Sequence, residues 1–132
     1  MKQLFTLFLG LVLSAGFAQK KELKQAQKLF KASKLTEASA SLQANQAVIE
    51  GTDDAKIKDQ YHLLKGQIAR LQEEYQLSYD NLILVNTNAT AKGLAASELA
   101  LLTSDLVNTA IKQSEEKAFL ASSKNLFLAY TI

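Results

Sequence analysis

The sequence predicts an all-α fold built from antiparallel helix–turn–helix repeats. Apolar residues recur at steps of three and four from Lys20 onward, as in Ile57, Tyr61, Leu64 and Ile68, and this spacing places them on one face of a helix. No stretch alternates convincingly between apolar and polar residues, which is the pattern of a half-buried strand. Proline is absent and only three glycines follow residue 18, so we expect long helices with few interruptions.

The first 18 residues have the organisation of a signal peptide. Met1-Lys2-Gln3 is a short basic head, Leu4 to Ala15 is an apolar run, and Gly16 and Ala18 are small enough for a signal peptidase. The run is too short to cross a bilayer, which takes roughly 20 apolar residues. We therefore expect cleavage between Ala18 and Gln19, export to the periplasm or the medium, and no stable membrane insertion afterwards.

Breaks in the apolar pattern divide residues 19–132 into six predicted helices. The breaks fall at Ser33-Lys34, Gly51–Asp54, Gln72-Glu73, Asn86–Gly93 and near Ser114–Glu116. The predicted helices cover about 20–33, 36–50, 54–71, 74–87, 94–114 and 118–131. They form three pairs, at about 20–50, 54–88 and 94–131. Thr36, and either Thr52 or Asp53, are predicted N-caps because their side-chain oxygens can accept from the first turn.

The helix pairs carry an internal repeat. A small residue stands in the first helix of each pair, and a large residue, a second small residue and a leucine follow nine, twelve and sixteen positions later. The three copies are Ala26, Leu35, Ala38 and Leu42; Gly66, Tyr75, Ser78 and Leu82; and Ala110, Phe119, Ser122 and Leu126. Small residues let two helices approach closely, and the leucine fills the space between them. The alternative is an ordinary six-helix bundle in which this spacing is accidental.

This spacing resembles the tetratricopeptide repeat (TPR). Residues 33–38 and 73–78 look like the central turn of that repeat, and Leu106–Ala110 followed by Phe127–Tyr130 is similar to the opening repeats of exported TPR proteins from Gram-negative bacteria. The resemblance covers nearly the whole chain after residue 18 and implies a short right-handed solenoid that binds a protein or peptide. The sequence departs from the family in the spacing of its small residues, 40 and 44 positions rather than about 34. It also lacks the closing prolines, and in two copies the aromatic residue before the small one.

The resemblance also implies where a partner binds, because the first helices of such pairs line a concave groove. The implied groove residues are Lys20, Leu23, Gln27, Phe30 and Lys31 in the first copy, Gln60, Leu63, Gln67 and Arg70 in the second, and Ser104, Val107, Ile111 and Ser114 in the third. The family's carboxylate-gripping arrangement of lysines and asparagines is not reproduced, because Leu23 and Gln27 stand at those positions. The alternative for Leu23, Phe30 and Leu63 is that they only pack between repeats.

The sequence offers little for catalysis, and we predict no enzymatic activity, no cofactor and no metal site. Cysteine is absent and His62 is the only histidine, which excludes thiolate sites, disulfides and histidine-based metal triads. We expect His62 to be a helix-surface or inter-repeat packing residue. The adjacent acids Asp53-Asp54, Glu73-Glu74 and Glu115-Glu116 are expected at helix starts, where the helix dipole favours them.

Charge gives no indication of a nucleic-acid partner. Removal of residues 1–18 takes away Lys2, so the formal net charge falls from +2 to +1 on a segment of 114 residues. Acids and bases are interspersed, and the lysine-rich run from Lys20 to Lys34 is interrupted by Glu22.

The last eight residues, 125–132, are among the most apolar of the predicted mature chain. A solenoid normally ends in a helix with a polar outer face. We therefore expect either that this is an N-terminal piece of a longer protein or that this end docks on a partner, such as downstream domains of the same polypeptide.

Together these features predict a non-catalytic protein-interaction scaffold. The alternative is an exported helical bundle that binds a hydrophobic small molecule or lipid, lined by Tyr61, Tyr75, Tyr79 and the leucines. A preformed apolar cavity between the helices would favour that alternative.

Overall fold

The computed structural model describes residues 19–132, which fold into seven α-helices without a β-strand in that range. The all-α prediction is confirmed, whereas the signal-peptide prediction falls on residues outside those described. The helices are α1 (residues 19–31), α2 (Leu35–Ala44), α3 (Gln46–Glu50), α4 (Ala55–Leu71), α5 (Tyr75–Leu82), α6 (Ala89–Glu115) and α7 (Phe119–Thr131).

The helices form three successive hairpins: α1 with α2 and the short α3, α4 with α5, and α6 with α7. The same turn joins α1 to α2, α4 to α5 and α6 to α7. Its central residue has a positive φ, 59° at Ser33, 63° at Glu73 and 62° at Lys117. The following backbone N–H donates to the carbonyl five residues earlier, which is the Schellman ending of a helix. These bonds join Lys34 to Leu29 at 3.0 Å, Glu74 to Ala69 at 2.9 Å and Ala118 to Gln113 at 2.7 Å.

The small residues of the repeat lie where the two helices of each hairpin meet. All six are buried: Ala26, Ala38, Gly66, Ser78, Ala110 and Ser122. In the second hairpin the Ser78 hydroxyl donates to the Gly66 carbonyl at 2.9 Å, and in the third the Ser122 hydroxyl donates to the Ala110 carbonyl at 2.8 Å. The spacing read from the sequence therefore corresponds to a packing arrangement that the hairpins share.

Helix α4 takes part in both clusters of buried side chains. Its residues Ile57, Tyr61, Leu64 and Ile68 pack with the first hairpin in one cluster. Leu63, on another face of α4, belongs to the second cluster with side chains of α5 and α6. The second hairpin therefore lies between the other two.

The predicted second helix is interrupted at Asn45. The Asn45 side-chain amide donates to the Ser41 carbonyl at 2.9 Å, and such local side-chain bonds compete with the helical pattern of the backbone. The result is two helices, α2 and α3, in place of the single helix predicted over 36–50.

The connection between α5 and α6 is placed earlier than predicted because Asp59 holds it. The buried Asp59 carboxylate of α4 accepts the backbone N–H groups of Asn86, Thr87 and Asn88. Backbone groups bound in this way do not continue a helix, so α5 ends at Leu82 rather than near 87. The Asn88 side chain then accepts from the Ala91 N–H at 3.0 Å and begins α6 five residues before the predicted start.

Some predicted helix ends are wrong. Asp54, not Thr52 or Asp53, caps α4, with bonds from the N–H groups of the second and third helical residues, while the Thr52 hydroxyl accepts from the Asp54 N–H. Thr36 lies inside α2, whose N-cap Lys34 makes no side-chain capping bond.

The adjacent acids Glu73-Glu74 and Glu115-Glu116, both predicted at helix starts, lie at different ends of their helices. Glu74 occupies the N-cap position of α5 without a side-chain capping bond. Glu115 and Glu116 stand at the end of α6 rather than at a helix start, because α6 continues to Glu115. The helix dipole disfavours acids there, so the dipole argument does not explain this pair.

Candidate functional site

A cleft between α1 and α4 brings together four of the predicted groove residues. Lys20, Leu23, Gln27 and Gln60 line this cleft, which has a volume of about 310 Å³. Lys24, Asp54, Lys56 and Ile57 complete the lining. We call these eight residues the α1–α4 cleft.

The charged groups of the α1–α4 cleft are three lysines and one aspartate. The Lys20 ammonium lies 3.9 Å from the Asp54 carboxylate, and both side chains are well exposed, so this ion pair contributes little to stability. Lys24 and Lys56 were not predicted as groove residues. Lys24 follows Lys20 by one helical turn, so helical spacing could have found it, but the position of Lys56 depends on how α4 packs against α1.

Leu23, which also lines the cleft, and Leu63 lie in the two cores. Leu23 is buried with residues of α2 and α4, and Leu63 is buried with residues of α5 and α6. Phe30 is half-buried against the first cluster. These three side chains pack between helices, which is the alternative stated for them above. Leu23 therefore lines the α1–α4 cleft with little exposed surface, and Leu63 is likewise almost fully buried.

Arg70 and Gln67 join the second hairpin to the third. The Arg70 guanidinium donates to Glu98 at 3.0 Å and to Asp105 at 2.7 Å, and the Gln67 amide donates to Glu98 at 2.9 Å. Burial alone would lower the pKa of Arg70, but the hydrogen bonds and charges of Asp105 and Glu98 outweigh it and raise that pKa. The Arg70 guanidinium is therefore held in ion pairs with two carboxylates of α6.

The remaining predicted groove residues are solvent-exposed. They are Lys31 on α1, and Ser104, Val107, Ile111 and Ser114 on α6. None of these five lines the α1–α4 cleft.

The three tyrosines that the hydrophobic-ligand alternative places in one pocket lie in two different cores. Tyr61 is buried in the first, where its hydroxyl accepts from the Lys65 ammonium at 3.2 Å. Burial, assisted by the nearby carboxylate of Glu50, raises the pKa of Tyr61 to about 12. Tyr75 and Tyr79 pack against the second core, and the Tyr75 hydroxyl lies 3.0 Å from that of Thr109. These positions give no support to a pocket shared by the three rings.

His62, the side chain best suited to acid–base catalysis, contacts other side chains of the fold. His62 Nδ1 lies 3.2 Å from the Asn81 side-chain oxygen, and its ring meets that of Tyr61 edge-on with centroids 5.1 Å apart. Within residues 19–132 no group of three histidine or acidic side chains is arranged to hold a metal ion.

Among the helices of residues 19–132, none is both long and apolar enough to span a bilayer.

The repeated geometry of the hairpins and the α1–α4 cleft are the two structural features that bear on function. A scan against protein-family models and searches of the curated proteins and of the solved structures found no match to this chain.

Proposed function

We propose that this chain is a non-catalytic protein-interaction scaffold of the TPR type, exported to the periplasm, whose hairpins form a short right-handed solenoid. The observation that supports it best is the recurrence of one hairpin design, with the same Schellman turn and the same buried pair of small residues in all three copies. Hairpins that repeat in this way stack side by side and create an extended surface suited to binding other proteins.

The α1–α4 cleft is the part of that surface to which we assign the partner. An extended peptide carries unpaired backbone N–H and C=O groups, and the side-chain amides of Gln27 and Gln60 can both donate to and accept from them. Lys20, Lys24 and Lys56 outnumber the single acid of the cleft. Charge complementarity then favours a partner segment that carries acidic side chains.

Site-specific photocrosslinking in the native cells tests this proposal. A photoreactive residue at Gln27 or at Gln60 is expected to give the same protein adduct, because both positions face one cleft. Asp80, an exposed residue of α5 outside the cleft, is the matched control and is expected to give none. Lys24→Glu is expected to weaken both adducts.

Two results would contradict the proposal. One is an absence of adducts at Gln27 and Gln60 in a protein whose circular dichroism shows it to be folded. The other is an identical set of adducts at Asp80, which would indicate non-specific contacts.

Export is tested separately by the mass of the protein recovered from the periplasm. A mature chain that begins at Gln19 is expected. Recovery of the chain from the membrane fraction with residues 1–18 still attached would contradict the predicted cleavage.

A further inference from the structure

A second groove, which shares no residue with the α1–α4 cleft, lies between α2 and α5. Both of these helices pack on α4, and α4 forms the floor of the groove between them. The groove has a volume of about 340 Å³, within the range of about 300–1,000 Å³ that is usual for small-molecule sites. Its apolar lining consists of Leu42, Ile68, Ala69 and Leu77. We call it the α2–α5 groove.

The two charged residues of the α2–α5 groove, Lys65 and Glu74, stand at opposite ends of it. Lys65 and Gln72 lie seven residues apart along α4 and its C-cap, which is a rise of about 10 Å at roughly 1.5 Å per residue. Glu74 follows Gln72 and is the N-cap residue of α5. Neither Lys65 nor Glu74 forms an ion pair with another of the residues 19–132. Both charges are therefore available to a ligand.

The positive end of the groove is held in position by a buried side chain. The Lys65 ammonium donates to the Tyr61 hydroxyl at 3.2 Å and lies 5.4 Å from the centre of the Tyr61 ring. Tyr61 is fully buried, so these contacts fix the ammonium without neutralising its charge, and they leave it further N–H donors. The nearby Glu50 carboxylate accepts from the Gln46 amide at 3.0 Å and forms no ion pair with Lys65.

The length and the polar lining of the groove indicate which ligand fits. An extended chain advances about 3.3–3.6 Å per residue, so three residues span about 10 Å. The side-chain amides of Gln43 and Gln72 line the groove and can both donate to and accept from a peptide backbone. A cation at one end and an anion at the other are complementary to a molecule with a carboxylate at one terminus and an ammonium at the other.

We propose that the α2–α5 groove binds a free tripeptide in an extended conformation, with its terminal carboxylate at Lys65 and its terminal ammonium at Glu74. A segment inside a longer chain lacks both terminal charges, so the site selects short free peptides. The apolar lining favours an apolar side chain on the ligand. This ligand and this groove are distinct from the partner and the α1–α4 cleft of the proposed function.

Isothermal titration calorimetry with the tripeptide alanyl-leucyl-alanine tests the proposal on the unaltered protein. Acetylation of its amino terminus and amidation of its carboxyl terminus should each weaken binding about tenfold or more, because each removes one charge-assisted contact.

Two variants assign the two ends of the ligand. Lys65→Gln should abolish the discrimination between free and amidated peptide but keep that between free and acetylated peptide, and Glu74→Gln should do the reverse. Lys58→Gln and Glu73→Gln are the matched controls, since both residues are exposed and lie outside the groove lining, and they should keep both preferences. Circular dichroism checks that each variant is folded.

Three results would overturn the proposal. The first is an absence of tripeptide binding to the folded, unaltered protein. The second is equal binding of free peptide and peptide blocked at both ends, which would indicate that the groove takes an internal segment of a chain. The third is that both folded variants retain both preferences. Crosslinking at Gln27 in the Lys65→Gln protein separates this proposal from the proposed function, because the cleft adduct should be unaffected.

Discussion

Gly66→Ala should destabilise the protein although alanine is the better helix former. A Cβ on Gly66 would lie 2.7 Å from two side-chain atoms of Leu82 and 3.3 Å from the Ser78 carbonyl oxygen. Leu82 is buried in the second core, so it has little room to move aside. Overpacking of this kind costs about 1–3 kcal/mol, whereas removal of a glycine from a helix interior returns about 0.5–1 kcal/mol. The difference is a net loss of up to about 2.5 kcal/mol in the free energy of unfolding.

Gly93→Ala is the matched control for that substitution. Gly93 is an exposed residue of α6, and a Cβ there would meet nothing within 4 Å. Only the helix propensity should change, so we expect a gain of about 0.5–1 kcal/mol. Urea unfolding followed by circular dichroism measures both variants.

The double variant Gly66→Ala with Leu82→Ala tests directly whether Leu82 is the obstacle. Leu82→Ala removes the atoms that the new methyl group meets, so Gly66→Ala should cost less in that background than alone. Equal and stabilising shifts from Gly66→Ala and Gly93→Ala would refute the claim of close helix contact at Gly66. Full additivity with Leu82→Ala would show that Leu82 is not the obstacle.

Three further predictions concern the buried polar groups. Asp59→Asn should cost about 1–3 kcal/mol, because the 86–88 backbone loses a charged acceptor, and should accelerate amide exchange at Asn88; unchanged exchange there would contradict it. Arg70→Met should cost a similar amount by leaving two carboxylates of α6 without their cation, and neutralising those acids in the same protein should recover part of the loss in urea unfolding. Because the pKa of Tyr61 is raised to about 12, the folded protein keeps a proton that the unfolded chain releases above about pH 10. Stability should therefore fall as pH rises from about 10 to 12, and more steeply than in Tyr61→Phe; parallel pH profiles for the two proteins would contradict this.

The sequence predicts the helices and their pairing because both depend on local patterns. Apolar residues at steps of three and four identify α4, and the recurring small residues locate the helix contacts of each hairpin. The positive-φ residues Ser33 and Glu73 fall in two of the predicted breaks, and Lys117 follows a third by one residue, although none of the three is a glycine.

Contacts between distant segments were not predictable in the same way. Asp59 lies within a helical pattern, and nothing in its neighbours indicates that it binds the backbone some 28 residues later. In the sequence Arg70 has the pattern of an exposed cation, because its partners Glu98 and Asp105 come from the distant helix α6. The groove prediction included Leu23 and Leu63 because helical spacing identifies an apolar face but not which neighbour covers it.

The position of α4 in both cores has a consequence for how the chain folds. Most contacts in hairpins are close in sequence, so each hairpin can nucleate by itself and collapse quickly. Growth from either end of the chain must then pass through α4, since this helix packs on the first hairpin with one face and on the third with another. Substitutions in α4 should slow the propagation of structure in both directions, whereas substitutions in α7 affect one end alone.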